Sequence, residues 1–191
     1  MDDKARWNTK HQNVPMPTEP CELVKRYVTH STGKKALDIA CGVGRHTYYI
    51  AEQGYEVDAV DISDYALSQL HPSSMIHPIE SDLTTYSIHP NRYDLIVNIN
   101  YLERTLFPSI LSGLKPGGTL IFETFIVAHE EGYHNPSNPD FLLRSHELLD
   151  VFSDLEVILY EERNDKNMYG EAVKIASFVG KKTTSLSIMP K

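Results

Sequence analysis

Apolar positions along this chain fall into short buried runs separated by segments of helical spacing. Lys35 to Ala40 and Glu56 to Asp61 read as strands, followed by Ile76 to Ile79, Tyr93 to Asn98 and Thr119 to Thr124. Helical patterns lie between them. Leu23, Val24, Tyr27 and Val28 share one face, with Pro20 suited to the first turn. Arg45 to Gln53 places Tyr49 and Ile50 inward, and Gly54 stands where a helix-ending glycine belongs. Ser63 is placed to cap a helix over Tyr65 to Leu70, Tyr101 to Leu114 reads as another, and Ser145 opens one that ends near Phe152. Lys115 to Gly118 reads as a turn.

Strands alternating with helices predict an α/β fold, a doubly wound and mostly parallel sheet with helices on both faces. Glu156 to Tyr160 and Ala172 to Val179 complete seven strands. Only a loop, Glu162 to Gly170, joins these two, so they are expected to form an antiparallel hairpin. The division that follows is an N-terminal arm over residues 1–20, a single domain over 21–180 and a polar, flexible tail over 181–191. The arm carries Pro15, Pro17 and Pro20 with little periodicity and reads as extended.

Charge narrows the function. The net charge is −8, with 18 Lys+Arg against 26 Asp+Glu. Nucleic-acid binding leans on cations at phosphates, and no basic cluster precedes Lys181-Lys182, so a small-molecule partner is expected and nucleic acid is not. No apolar run reaches the ~18 residues of a membrane span, and the N-terminus lacks a signal-peptide plan. Two cysteines, Cys21 and Cys41, make no disulfide framework, and a reducing cytoplasm is expected.

The stretch ALDIACGVGRHTYYIAEQGYEVDAVDIS, residues 36–63, carries the chemistry. Gly42 and Gly44 follow the first strand, where ligands of open α/β sheets bind. Without Cβ atoms they admit a ligand close to the backbone, and the next helix offers free N–H groups. A dinucleotide fingerprint needs a third glycine, but Arg45, His46 and Thr47 follow instead. Asp38 before the turn is placed either to meet a ligand amine or to hold the loop's N–H groups. Asp61, ending the second strand, is placed to accept both hydroxyls of a ribose. An NAD-dependent oxidoreductase or a non-catalytic nucleoside-binding module uses the same features.

That stretch resembles the nucleoside-binding motifs of class I S-adenosylmethionine (SAM)-dependent methyltransferases. ESDLTTY resembles their third motif, YDLIVNINYL the fourth and LKPGGTLIFETF the turn and strand five. DIACGVGRH, LFP and FETF narrow the likeness to small bacterial methyltransferases of the tellurite-resistance type. The resemblance spans residues 34–180 and implies a Rossmann-like fold ending in an antiparallel hairpin. It implies SAM as cofactor and S-adenosylhomocysteine as product. Asp38, Ala40, Gly42 and Gly44 would face the methionine part, with Cys41 inside the same turn as a small packed residue. Asp61 would hold the ribose and Ile62 flank the adenine. Asp82 would bond the adenine amine, the Leu83 backbone would read the ring, and Asn98 would line the sulfonium region through its backbone. Where the family often has a glycine, this chain has Ala40.

Methyl transfer from a sulfonium is an in-line displacement governed by positioning, and a base is needed only when the acceptor must lose a proton. A thiol, a carboxylate or a chalcogen oxyanion all remain open as acceptors, and no catalytic residue is assignable. The NINY sequence at 98–101 is not the N-P-P-Y or D-P-P-Y of amino-methylating DNA enzymes. After strand four, Asn100, Tyr101, Glu103 and Arg104 are candidate acceptor contacts. Arg104 is either an oxyanion ligand or a surface arginine. After strand five, Glu123, His129, Glu130 and His134 form either a polar acceptor site or a solvated loop, and residues 124–139 are a candidate lid. The second histidine comes one residue too late for H-E-x-x-H, so no metal is expected. Trp7, the only tryptophan, either brings the arm over the cofactor pocket or anchors it to the core.

Overall fold

A computed structural model describes residues 2–183. Its sheet has seven strands: β1 (Lys35–Ile39), β2 (Glu56–Asp61), β3 (Ile76–Glu80), β4 (Tyr93–Ile99), β5 (Leu114–Phe125), β6 (Leu155–Lys166) and β7 (Ala172–Lys182). The spatial order is β3-β2-β1-β4-β5-β7-β6. The five strands β1 to β5 run parallel, and β7 is antiparallel to both β5 and β6. The hairpin expectation holds, and β7 is the strand that enters the sheet interior. Among the described residues no helix is long and apolar enough to cross a membrane.

Central strands must be apolar on both faces because helices cover both. β4, YDLIVNI, is buried at every position. Leu37, Ile39, Ile96, Leu120 and Phe122 point into one core with Phe107, Ile110, Leu148 and Phe152. Ala36, Leu95, Val97, Ile99 and Ile121 point into the other, against Leu23, Val24 and Ile50. Those helical residues sit on α2 (Glu22–Tyr27) and α3 (Arg45–Glu52) on one side, and on α5 (Phe107–Gly113) and α6 (Glu147–Val151) on the other. In the first core, Phe107 and Phe152 meet edge to face with ring centroids 5.4 Å apart, and Phe178 lies 5.5 Å beyond Phe152. A short helix, α4 (Asp64–Ser68), follows β2 and is capped by Ser63, whose hydroxyl accepts from the Ala66 N–H at 3.0 Å.

Several boundaries differ from the sequence pattern. The arm is not extended: Asp3–Asn13 is a helix, α1, whose first turn is capped by the Asp2 carboxylate accepting from Ala5 N–H at 2.7 Å. Tyr101 to Glu103 stay outside helix α5, which begins after a single 3-10 turn, with Pro108 in its first turn. Lys115 to Gly118 are looped out within β5, between the pairs Tyr93–Leu114 and Leu95–Thr119. The segment from Glu162 is strand as far as Lys166, because its backbone pairs with Ala172–Ala176 of β7. Lys181 and Lys182 belong to β7 and not to a tail; the rest of the expected tail lies outside the described residues.

Candidate cofactor site

Chain order β1, β2, β3 builds outward on one side of β1, and β4 returns to its other side. The carboxyl ends of β1 and β4 therefore flank the crevice where the strand order reverses. The glycine turn follows β1; Asn98 lies at the end of β4, and Asn100 and Tyr101 follow it.

The turn is built on left-handed backbone. Ala40, Gly42 and Gly44 have φ of +54°, +55° and +87°. Glycine adopts such angles without penalty, and alanine does so at a cost. Ala40 thus occupies a position whose backbone asks for glycine. A Cβ at Gly44 would come within 2.3 Å of the Leu70 side chain, so the turn is packed as well as bent.

Asp61 is 6% exposed and ties the crevice together. One carboxylate oxygen accepts from Gly42 N–H and the other from Ser63 N–H, each at 2.8 Å. Two of its roughly four acceptor positions are thereby used, which leaves two for a pair of hydroxyls. The acceptor set at the β2 end therefore fits a ribose. Asp38 is 1% exposed and accepts from the Thr47 hydroxyl at 2.6 Å, so it fastens helix α3 to the turn. Burial pushes its carboxyl up to about 7, against the pull of that hydrogen bond. Asn98, also 1% exposed, donates through its side chain to the Tyr101 carbonyl at 2.7 Å and shapes the loop after β4. Asp82 is exposed and accepts from both the N–H and the hydroxyl of Thr84, while Leu83 is buried beside it and Ile62 is half-buried. Cys41 is buried with a free thiol.

The third position of the dinucleotide pattern holds Thr47, fully buried with its hydroxyl on Asp38. The close helix–strand packing that a third glycine provides is replaced by this pair, so the NAD reading is not favoured.

On the acceptor side the expected grouping does not assemble. Glu123 is buried, accepting from Ser177 at 2.6 Å and from Arg163 at 3.1 Å. His129 is exposed, and the nearest carboxylate to His134 is Glu171 of the hairpin turn, at 3.6 Å. Glu130 pairs with Lys174. The candidate lid over 124–139 is tied down by a bridge between Ile126 and Leu143, by His134 N–H donating to Ala172, and by two bonds between Asn135 and Ala128. Arg104 is part-exposed, and most of its donors are already engaged. Its guanidinium donates to both Glu147 oxygens, at 2.6 and 3.1 Å, and to the carbonyls of Asp140 and Leu142. These bonds fasten the segment from Asp140 to Glu147 to the start of the helix after β4. Tyr101 is half-buried, and burial raises its hydroxyl pKa.

Two residues of the site were not legible from the pattern. His46, which reads as part of a basic pair, is 6% exposed; its Nε2 accepts from Cys21 N–H at 3.3 Å, and burial pushes its pKa down to about 3. The spacing of His46 to Ile50, four residues on the same helix face, was the available signal. His11 of α1 lies over the turn: a Cβ on Gly42 would come within 3.2 Å of its ring. Trp7, four residues earlier, is half-buried, with Lys10 Nζ 4.7 Å from its ring centre.

Glu56, Asp58 and His77 come together at the opposite, amino-terminal end of the sheet. The Lys35 ammonium already sits there, 2.8 and 2.6 Å from the two carboxylates.

Residues 36–118 match the family described as a methyltransferase domain. The putative methyltransferase YqeM of Bacillus subtilis is 30% identical over 123 residues, which is 56% of this chain and 50% of that protein. The probable SAM-dependent methyltransferase TehB of Haemophilus influenzae is 25% identical over 163 residues, 78% of this chain and 57% of that one. The TehB crystal structure superposes with a TM-score of 0.70 at 18% identity, covering 94% of this chain and 67% of that chain. The phosphoethanolamine N-methyltransferase 2 of Haemonchus contortus, solved with S-adenosylhomocysteine, gives 0.66 at 18% identity, covering 85% and 52%. The chain spans about half the length of the curated relatives it matches. In these comparisons it resembles class I SAM-dependent methyltransferases, whose cofactor is SAM. Within that class it resembles TehB.

Proposed function

We propose that this protein transfers a methyl group from SAM to a small-molecule acceptor in the cytoplasm. The observation that carries the reading is the Asp61 carboxylate, held by the Gly42 N–H of the β1 turn and the Ser63 N–H after β2, with two acceptor positions to spare. When bound, SAM supplies a methyl group already activated on a sulfonium. The protein's part is to hold and to aim. Asp61 accepts the ribose hydroxyls. Ile62 flanks the adenine, the Leu83 backbone reads its ring, and Asp82 accepts from its amine. The bent backbone from Ala40 to Gly44 lies against the methionine part, with Asp38 bracing it through Thr47, and the Asn98 backbone borders the reacting centre.

No buried base stands ready at the end of β4. An acceptor that arrives already anionic and needs no protein base suits such a site: a thiol as its thiolate, a carboxylate or a chalcogen oxyanion. Tyr101 and the loop after β5 supply the acceptor's surroundings. Calorimetric titration of S-adenosylhomocysteine into the wild-type chain and Asp61→Ala tests the reading. Tight binding that weakens roughly ten- to hundredfold in the variant is expected, the equivalent of about 1.5–3 kcal/mol for hydrogen bonds to a charged group. Binding of NAD in place of S-adenosylhomocysteine would overturn it.

A further inference from the structure

Helix α1 is an unusual neighbour for a ligand site. It has eleven residues and none is buried. Its inward face is Lys4, Trp7, Asn8 and His11, spaced as one helical stripe yet carrying no aliphatic residue. An isolated helix of this length is marginal in water, and exposed ion pairs contribute little. What holds α1 is a set of polar contacts, all made to the rim of the crevice. Lys4 pairs with Glu80 at the end of β3 and with Asp64 at the start of α4. The Asn8 amide donates to Asp64 at 2.7 Å and accepts from the Ser63 hydroxyl at 2.6 Å.

Two features tie this helix to the nucleoside position. Ser63 is the residue whose N–H bonds Asp61, so Asn8 is one residue removed from the ribose carboxylate. His11 rests on the Gly42 face, and its Nδ1 is buried with no hydrogen-bond partner among the described residues. Leaving a buried ring nitrogen unmade is costly. With α1 docked, Asp61 is only 6% exposed, so a ribose reaches it only if something moves. Of the elements over the crevice, α1 is the one with no buried residue to hold it.

We propose that α1 is a lid that opens to admit the cofactor and closes on it, with Asn8 latching the helix to the ribose carboxylate through Ser63 and His11 giving its free ring nitrogen to the bound cofactor above Gly42. The proposal rests on the cofactor reading above. Closure on the cofactor adds the His11 contact to the Lys4 and Asn8 contacts that the docked helix already makes, which slows cofactor loss and excludes water from the transfer site. An open cavity of about 400 Å³, lined by His11, Val14, Met16, Val43 and Tyr65 among others, adjoins the C-terminal end of the helix.

Trp7 is the only tryptophan in the chain, so its fluorescence reports on the lid alone. S-adenosylhomocysteine is titrated into the full chain with emission and calorimetry followed in parallel, alongside Asn8→Ala and His11→Ala. Expected are a saturable change in Trp7 emission over the calorimetric concentration range and a three- to thirtyfold loss of affinity in each variant. Their thermal unfolding should stay at the wild-type midpoint, since α1 contributes nothing to the core. Calorimetric binding with unchanged Trp7 emission and wild-type affinity in both variants overturns the lid while leaving the cofactor reading intact. No calorimetric binding by the folded wild-type chain overturns the cofactor reading, and the lid with it.

Discussion

The two ends of the sheet both bury aspartates, and they treat them in opposite ways. At the amino-terminal end, Asp58 meets Lys35 at 2.6 Å, Arg92 at 3.1 Å and the Tyr93 hydroxyl at 2.8 Å. Asp94 accepts from Lys35 N–H and Lys115 Nζ, both at 2.9 Å. Burial works to raise Asp58, and Lys35, Tyr93 and Arg92 together hold it below its usual value. At the carboxyl-terminal end, Asp61 has two backbone N–H groups and Asp38 a threonine hydroxyl, and among the described residues neither carries a salt bridge. A buried carboxylate with a full complement of cations is finished as a structural element. One satisfied only by neutral donors keeps acceptor capacity for a ligand.

Breaking one end should therefore unfold the protein, and breaking the other should disarm it. The largest effect is expected for Asp58→Ala, which leaves Lys35 with Glu56 as its sole carboxylate and takes the acceptor from the buried Tyr93 hydroxyl. A loss of about 3 kcal/mol or more in urea unfolding is expected, with S-adenosylhomocysteine affinity of the folded fraction unchanged. Asp61→Ala should cost up to about 3 kcal/mol in cofactor binding by calorimetry; an equal loss of affinity in Asp58→Ala would erase the contrast.

The pH dependence sharpens the comparison further. Asp38 is raised from 3.8 to about 7, so between those values the folded chain keeps a proton that the unfolded chain has released. That group removes stability as pH rises through the window. His46, lowered from 6.5 to about 3, acts the other way and removes stability as pH falls below 6.5. In Asp38→Asn only the histidine remains. Its stability, followed by urea unfolding from pH 4.5 to 6.5, should climb more steeply than that of the wild type, by up to ~1.4 kcal/mol per pH unit. Parallel profiles would refute the assignment.

The smallest effect is expected at Ala40→Gly. Relief of a left-handed alanine, offset by glycine's greater freedom in the unfolded chain, should stabilise by about 0.5–1 kcal/mol in thermal unfolding. A loss of stability there would mean that the Ala40 methyl group packs to more advantage than its backbone is strained.

Wherever the hydrophobic period was strong, the fold was legible. The apolar centre of β4, Leu95 to Val97, and the two-faced alternation of β1 and β5 announce a sheet covered on both sides. The glycine turn with Asp38 and Asp61 announces a nucleoside site, because strand ends and turn angles are set by near neighbours. Arg104, His134 and Glu123 illustrate what sequence leaves open. Each is a polar residue on an expected acceptor loop. Their partners, Glu147, Glu171 and Arg163, come from segments distant in the chain, and they decide whether a side chain is free to meet a ligand.

Helix α1 marks the same division most sharply. Its residues carry no apolar stripe, so nothing in their order predicts a helix packed on anything. Only the folded chain brings Ser63, Asp64 and Glu80 into one rim where Lys4 and Asn8 find partners. By itself the sequence determined the sheet, the bent turn and the acid at the end of β2, since burial periodicity and backbone angles are properties of adjacent residues. The tertiary structure alone decided which polar groups are spent on one another and which remain available, because hydrogen-bond partners are chosen in space and not along the chain.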